Sequence, residues 1–111
     1  MNHGIHVAIS SDILPIGPMV GIYAAVTRKG MTGEVYGAVE ALSVEEALRA
    51  YTVGSAWLSY EENLKGTIET GKVADLIVLD RDILTIDHDE IMDVEVLQTW
   101  LGGQLVYQRR Q

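Results

Sequence analysis

The sequence predicts a mixed α/β fold. Three observations carry this prediction: an apolar run at 5–10 that stops at Ser11 and Asp12, a helix-start signal at 43–46, and a glycine turn at 69–72 before a second apolar run. Short apolar runs bounded by turn residues indicate buried strands. A capping signal followed by apolar residues three and four apart indicates a helix. The predicted order is therefore one strand, three helices and then several strands.

The N-terminal part predicts a strand, a loop and a helix. Residues 5–10 are mostly apolar, as in a parallel strand that is buried on both faces. The run ends at Asp12, and prolines and glycines at 15–18 then predict a loop. Pro18 suits the first turn of a helix, because the amide that it lacks would have no partner there. We therefore predict a helix over 19–28.

The middle of the chain predicts two further helices. Ser43 and Glu46 form a capping box, in which the Ser43 hydroxyl accepts from the Glu46 amide and the Glu46 side chain reaches back. The apolar residues that follow have helical spacing. Thr52 is predicted to cap a second short helix that includes Trp57.

The C-terminal part predicts strands. Gly71 lies in a turn at 69–72, and an apolar strand follows over 74–80 with Asp75 at its start. The acidic stretch 87–94 predicts one helical turn. Residues 96–100 and 104–108 flank a pair of glycines, which is typical of a hairpin. A boundary near 62–66 separates the helical part from the strands.

Composition excludes several classes of function. The 111 residues carry a net charge of −8 and no cysteine, and 48% of them are hydrophobic. The acidic balance disfavours binding to nucleic acid, because phosphate neutralisation requires clustered Lys and Arg. Disulfides, thiolate metal sites and cysteine nucleophiles are excluded. No apolar run approaches the roughly 20 residues of a membrane span, and the first residues lack a signal peptide's features. We therefore expect a cytoplasmic protein with no membrane partner.

Several motifs occur together along nearly the whole chain. They are ISSD at 9–12, AVTR at 25–28, LSVEEAL at 42–48, YT at 51–52, GTIETGKVAD at 66–75 and GGQLVY at 102–107. In this order they resemble the amidohydrolase superfamily, within it the imidazolonepropionase-like and N-acyl-amino-acid deacylase-like branch called amidohydrolase family 3. The resemblance implies a (β/α)8 barrel joined to a small β-sandwich.

The resemblance also implies how the chain is divided. Residues 1–62 would be the end of the barrel, with the eighth strand and the closing helices, and 63–111 would be part of the sandwich. A barrel alone needs roughly 250 residues. The chain would then be the C-terminal fragment of a larger enzyme, and we expect it to be inactive by itself.

Asp12 is the candidate catalytic residue. Barrel enzymes carry their catalytic groups at the carboxyl ends of strands, and Asp12 follows such a run. The resemblance implies that Asp12 binds a divalent metal, zinc first of all, and moves a proton between the attacking water and the leaving amine. Judged from the residues alone, a cap of the following loop or helix is the better explanation of Asp12, because Asp is common at such positions.

Other polar residues offer no complete metal site. His3 and His6 are three apart, which on a strand puts them on opposite faces. His6 is expected to pack within the strand, and His88 to lie in a solvated acidic loop. Lys72 and Asp75 are interpreted as turn and strand-start residues rather than a catalytic pair. Tyr23, Trp57 and Trp100 are expected in the core or an interface, and Arg28 either contacts substrate or pairs with a carboxylate.

The resulting hypothesis is that the chain is part of a metal-dependent hydrolase. This enzyme would act on non-peptide carbon–nitrogen bonds of a small amide-like or cyclic amide substrate. A non-catalytic structural or interaction module is the alternative, and a split enzyme completed by a second chain is a third. Because an open strand edge is a template for pairing, we expect a homo-oligomer formed through the exposed helix surfaces and the strand at 5–10, which would pair with a copy of itself or with another chain.

Overall fold

A computed structural model describes residues 4–13 and 17–110 of the chain. Its helices are α1 (Pro18–Thr27), α2 (Val44–Arg49) and α3 (Ser55–Leu58), with a π-helical turn, Ala50–Gly54, between the last two. Two 3₁₀ turns cover Ala38–Glu40 and His88–Asp93. The strands are β1 (Leu76–Leu79), β2 (Val96–Leu101) and β3 (Gln104–Gln108). The predicted mixed α/β class is confirmed.

Helix α1 begins where its proline allows. Pro18 lies in the first turn, and the extended residue Gly17 precedes it as the N-cap. The helix ends at Arg28, which adopts a left-handed conformation with φ 56° while its amide bonds to the Ala24 carbonyl. The helix predicted over 19–28 is confirmed within one residue at each end.

Helices α2 and α3 form one continuous helical segment. The Ser43 hydroxyl accepts from the Glu46 amide at 3.1 Å, and Glu46 accepts from the Ser43 amide at 2.9 Å, so the capping box is confirmed. The prediction that Thr52 caps a separate helix is wrong. Its hydroxyl donates to the Leu48 carbonyl one turn back, because the chain continues through the π-helical turn without a break.

The strands form an antiparallel sheet in the order β1-β2-β3. The predicted hairpin is confirmed: β2 and β3 are joined at Gly102 and Gly103, whose φ values are 57° and 77°. Two glycines with positive φ suit the tight turn that matches strand twist. The strand predicted over 74–80 is observed at its centre, and the acidic stretch at 87–94 forms the predicted short helical turn.

The apolar core joins the helices to the segments around the sheet. Its buried members are Ile22, Val26, Val44, Ala47, Ile83, Ile91 and Val94, and Ile91 is completely buried. The sheet itself is open, with every residue of β3 exposed. In the described part of the chain, no helix is both long and apolar enough to cross a membrane.

The strand predicted over 5–10 is wrong. Residues 5–11 are extended but pair with no strand of the described chain, and all except 8, 9 and 11 are exposed. A strand needs a neighbour to accept its amides. Here the Ile9 amide donates instead to the Ala50 carbonyl at 3.3 Å, so this segment lies against a helix rather than in a sheet.

Candidate functional site

Asp12 lies in a sharp turn at the end of the extended segment. Its φ is 50°, in the left-handed region, and the Ile13 amide donates across it to the Ser11 carbonyl. Asp is among the few residues besides glycine that adopt this conformation at small cost. The residue is exposed. The turn therefore presents the Asp12 carboxylate to solvent at the point where the extended segment stops.

The structure tests whether Asp12 caps the helix that follows it. The N-cap of α1 is Gly17, and no side chain caps this helix end. Asp12 is thus not the cap of the following helix. Its relation to residues 14–16 lies outside the described residues.

An aromatic contact anchors the segment that carries Asp12. The imidazole of His6 stacks on the indole of Trp57, with ring centroids 4.0 Å apart and the planes 4° from parallel. His6 is therefore held on a helix rather than packed within a strand. No sequence pattern predicts this contact, because Trp57 is 51 positions from His6 along the chain.

Among the described residues, His6 and His88 belong to no group of three or more metal-ligating side chains. His88 lies exposed in the second 3₁₀ turn, as expected, and His3 lies outside the described residues. Beside His88, Asp89 forms an ion pair with Lys29 and accepts its hydrogen bond, which raises the Lys29 pKa above its usual value. A carboxylate of the acidic loop is thus paired with a lysine of the same chain.

Lys72 and Asp75 have separate structural roles. The Lys72 ammonium donates to the Glu62 carbonyl and to the Thr67 hydroxyl, both at 2.7 Å. Asp75 accepts from the Gly102 amide at 2.8 Å and so ties the hairpin tip to the start of β1. The interpretation of these residues as turn and strand-start groups is confirmed.

Arg28 and the aromatic residues are also explained by local packing. The Arg28 guanidinium donates to the Tyr36 carbonyl at 3.0 Å and forms an ion pair with Glu40 at 3.4 Å. Of the two roles expected for Arg28, the structure thus shows the pairing with a carboxylate. Tyr23 packs against the core. Trp100 is partly buried, and its indole donates to the Gln98 side chain at 3.0 Å.

The described residues supply one candidate metal ligand, not a complete set. A catalytic zinc ion normally takes three protein ligands and keeps one position for water. Within 4–13 and 17–110, no three His, Asp or Glu side chains lie close enough to hold an ion. The carboxylate of Asp12 suits a divalent ion as an oxygen donor. A complete set of three would therefore need at least one ligand from outside the described residues.

Comparison with known proteins gives a consistent family. A family model described as "Amidohydrolase family" matches residues 1–107. The chain is 39% identical to "Putative amidohydrolase YtcJ" of Bacillus subtilis and 38% identical to "N-substituted formamide deformylase" of Arthrobacter pascens. These matches cover 98% of this chain in both cases, and 22% and 20% of the two relatives.

A solved structure has the same fold over most of the chain. An amidohydrolase from Thermotoga maritima superposes with a TM-score of 0.64 at 24% identity, over 96% of this chain and 24% of that one. The chain spans about a fifth of the length of the two curated relatives named above.

Proposed function

Because the chain belongs to the amidohydrolase family, we propose that it forms the C-terminal part of a metal-dependent hydrolase. The reaction would cleave carbon–nitrogen bonds other than peptide bonds, in small amide or cyclic amide substrates. One relative, named as a deformylase of N-substituted formamides, supports this class of bond. The single structural observation that carries the proposal is the exposed Asp12 turn at the end of the segment 5–12.

Asp12 would have two roles in this reaction. A divalent metal, zinc being the one expected, would supply a Lewis acid that makes water a nucleophile near neutral pH. The Asp12 carboxylate would contribute an oxygen ligand, accept the proton of the attacking water and return it to the leaving nitrogen. A positioned carboxylate typically contributes about 10²–10⁴-fold to such a step.

The rest of the site would come from elsewhere in a longer protein. The described residues supply no group of three metal ligands, and the described sheet is exposed on β3. We retain the division in which 1–62 closes a barrel and 63–111 contributes to a sandwich as part of the proposal. On this account the chain alone has neither turnover nor a stoichiometric metal.

A non-catalytic module of the same ancestry is the second candidate. Both candidates agree with the absence of a three-residue metal-ligand group among the described residues. The two candidates differ in what the full-length gene product does, because only a catalytic protein hydrolyses a substrate.

The test compares the full-length gene product that contains this sequence with residues 1–111 alone. Both are assayed on N-substituted formamides and cyclic amides, then again after chelation and after return of zinc. We expect the longer protein to release amine, lose that activity with chelator and regain it with metal. A longer protein that folds and never hydrolyses these bonds, or hydrolyses them equally well without metal, would contradict the proposal.

A further inference from the structure

The π-helical turn at Ala50–Gly54 contacts the segment that precedes Asp12. In a regular α-helix a carbonyl accepts from the amide four residues on, whereas a π-turn widens the ring by one residue. Here the Ala50 carbonyl accepts from two groups outside the helix backbone ladder, the Ile9 amide at 3.3 Å and the Ser55 hydroxyl at 3.2 Å. The widened turn thus offers a backbone acceptor to residues 7–9.

Gly54 gives the same turn a second contact with this segment. A Cβ built on Gly54 would collide with the Val7 carbonyl oxygen and lie 3.1 Å from the Val7 carbonyl carbon and 3.4 Å from the Ala8 Cα. Such distances leave no room for any side chain. The backbone of residues 7 and 8 therefore rests directly on the helix, at a position that only glycine permits.

Tyr51 connects the same turn to the helix that follows Asp12. A Cβ on Gly21 of α1 would overlap the Tyr51 hydroxyl and lie 2.9 Å from Cζ of its ring. Tyr51 also packs against the apolar core. Because Gly21 has no side chain, α1 lies directly on this ring, and the spacing between α1 and the π-turn is set by the aromatic side chain.

The elements on both sides of Asp12 are therefore held by one helical turn. Residues 7–9 lie just before Asp12 and rest on Ala50 and Gly54, while α1 lies just after it and rests on Tyr51. We propose that the π-helical turn at Ala50–Gly54 is the positioning element of Asp12, and that Gly54 and Tyr51 are positioning residues. This inference rests on the proposed function only in taking Asp12 as a catalytic group.

The consequence for chemistry follows from the geometry that catalysis needs. A misplacement of about 1 Å can cost about 10²-fold in rate, even when the altered residue is far from the reacting atoms. A methyl group at Gly54 must displace the backbone at Val7 or the helix itself, since neither contact is with a flexible side chain. The displacement should reach Asp12 because only three residues lie between it and Ala8.

The first experiment measures position without measuring activity. Gly54→Ala is compared with wild type in residues 1–111, with Thr52→Ala as the matched control on the exposed side of the same turn. The readouts are amide hydrogen exchange at Ile9 and the amide chemical shift of Asp12. We expect Gly54→Ala to speed exchange at Ile9 at least about tenfold and to move the Asp12 signal. Thr52→Ala should leave both unchanged.

A second variant keeps the inference testable if Gly54→Ala does not fold. Tyr51→Leu removes ring contacts without adding atoms, and it should also shift the Asp12 signal through α1. Unchanged Ile9 exchange in a folded Gly54→Ala protein, or an unmoved Asp12 signal in both variants, would overturn the inference.

The kinetic arm separates this inference from the proposed function. In the full-length protein, Gly54→Ala should lower kcat about 10²-fold while KM changes little, and it should weaken zinc binding. A merely structural role would lower Tm and leave kcat per folded molecule unchanged. An inactive wild-type protein would remove the proposed function alone, because the exchange and shift measurements do not depend on turnover.

Discussion

Gly66 lies so close to Ala56 that a Cβ placed on it would be 2.8 Å from the Ala56 Cβ. The same hypothetical atom would lie 3.3 Å from the Thr52 carbonyl oxygen. The segment that leaves the helices for the sheet is thereby packed against the side of the helical segment. Gly66 also has φ 97°, a conformation that disfavours any other residue.

Gly66→Ala should be more destabilising than Gly71→Ala. Gly71 has a similar φ of 93°, but a Cβ added there would lie in open space. Alanine at this position therefore meets only the backbone strain of the positive φ, about 1 kcal/mol. Gly66→Ala adds overpacking against Ala56, which typically costs about 1–3 kcal/mol more. Urea unfolding of the two variants measures the difference. Equal free energies of unfolding would show that the helix can move aside.

The stack of His6 on Trp57 should be measurable as a coupling energy. Aromatic pairs contribute about 0.5–1.5 kcal/mol beyond the area they bury, and this exposed pair should lie at the lower end. A double-mutant cycle with His6→Ala and Trp57→Ala isolates that contribution in denaturant unfolding. Singles that add up with no residual coupling would mean that the two rings do not interact in solution.

The capping box should make helix stability depend on pH. Hydrogen bonds from the Ser43 amide and hydroxyl hold the pKa of Glu46 below its usual value. A carboxyl whose pKa is lower in the folded state stabilises the protein above its unfolded pKa, and this contribution is lost as pH falls through the folded pKa. The largest contribution comes from the backbone amide of residue 43, which alanine keeps, so the Glu46 side-chain titration, followed by NMR, should move only slightly to higher pH in Ser43→Ala.

The same substitution should lower stability at neutral pH by about 1 kcal/mol, the usual cost of losing a serine cap. Ser43→Thr is the matched control, since it keeps a hydroxyl at the N-cap. The interpretation fails if Ser43→Ala moves the Glu46 titration all the way to the ordinary value of a glutamate, or if Ser43→Thr lowers the stability as much as Ser43→Ala does.

Elements with short-range causes were predictable from the sequence. The capping box at Ser43 and Glu46, the proline start of α1 and the glycine pair at 102 and 103 all act through residues within one turn of each other. Such signals stay the same whatever surrounds them. Asp75 belongs here in part, because its strand-start position could be predicted but its partner Gly102 could not.

Elements with distant causes could not be predicted. An apolar run becomes a strand only when another strand accepts its amides, and residues 5–10 meet the Ala50 carbonyl instead. No sequence pattern marks the π-helical turn, and the sequence therefore predicts a helix cap at Thr52 where the helical segment in fact continues. For the candidate site, Asp12 could be singled out, whereas the contacts that hold its segment, through Trp57 and Gly54, depend on the folded chain.

The expected homo-oligomer stays a prediction, and its structural basis changes. The sequence predicts that two chains pair through a strand at 5–10, but the structure has no strand at these residues. The exposed β3 strand is the better-placed open edge.

The most direct measurement is turnover and zinc content of Asp12→Asn in the full-length protein. Asp75→Asn is the matched control, because it makes the same change at a carboxylate that only accepts from the Gly102 amide. We expect Asp12→Asn to lose at least about 10²-fold in kcat with weakened zinc binding, while Asp75→Asn keeps both. A folded Asp12→Asn protein with wild-type turnover and metal content would contradict the assignment of Asp12 to the active site.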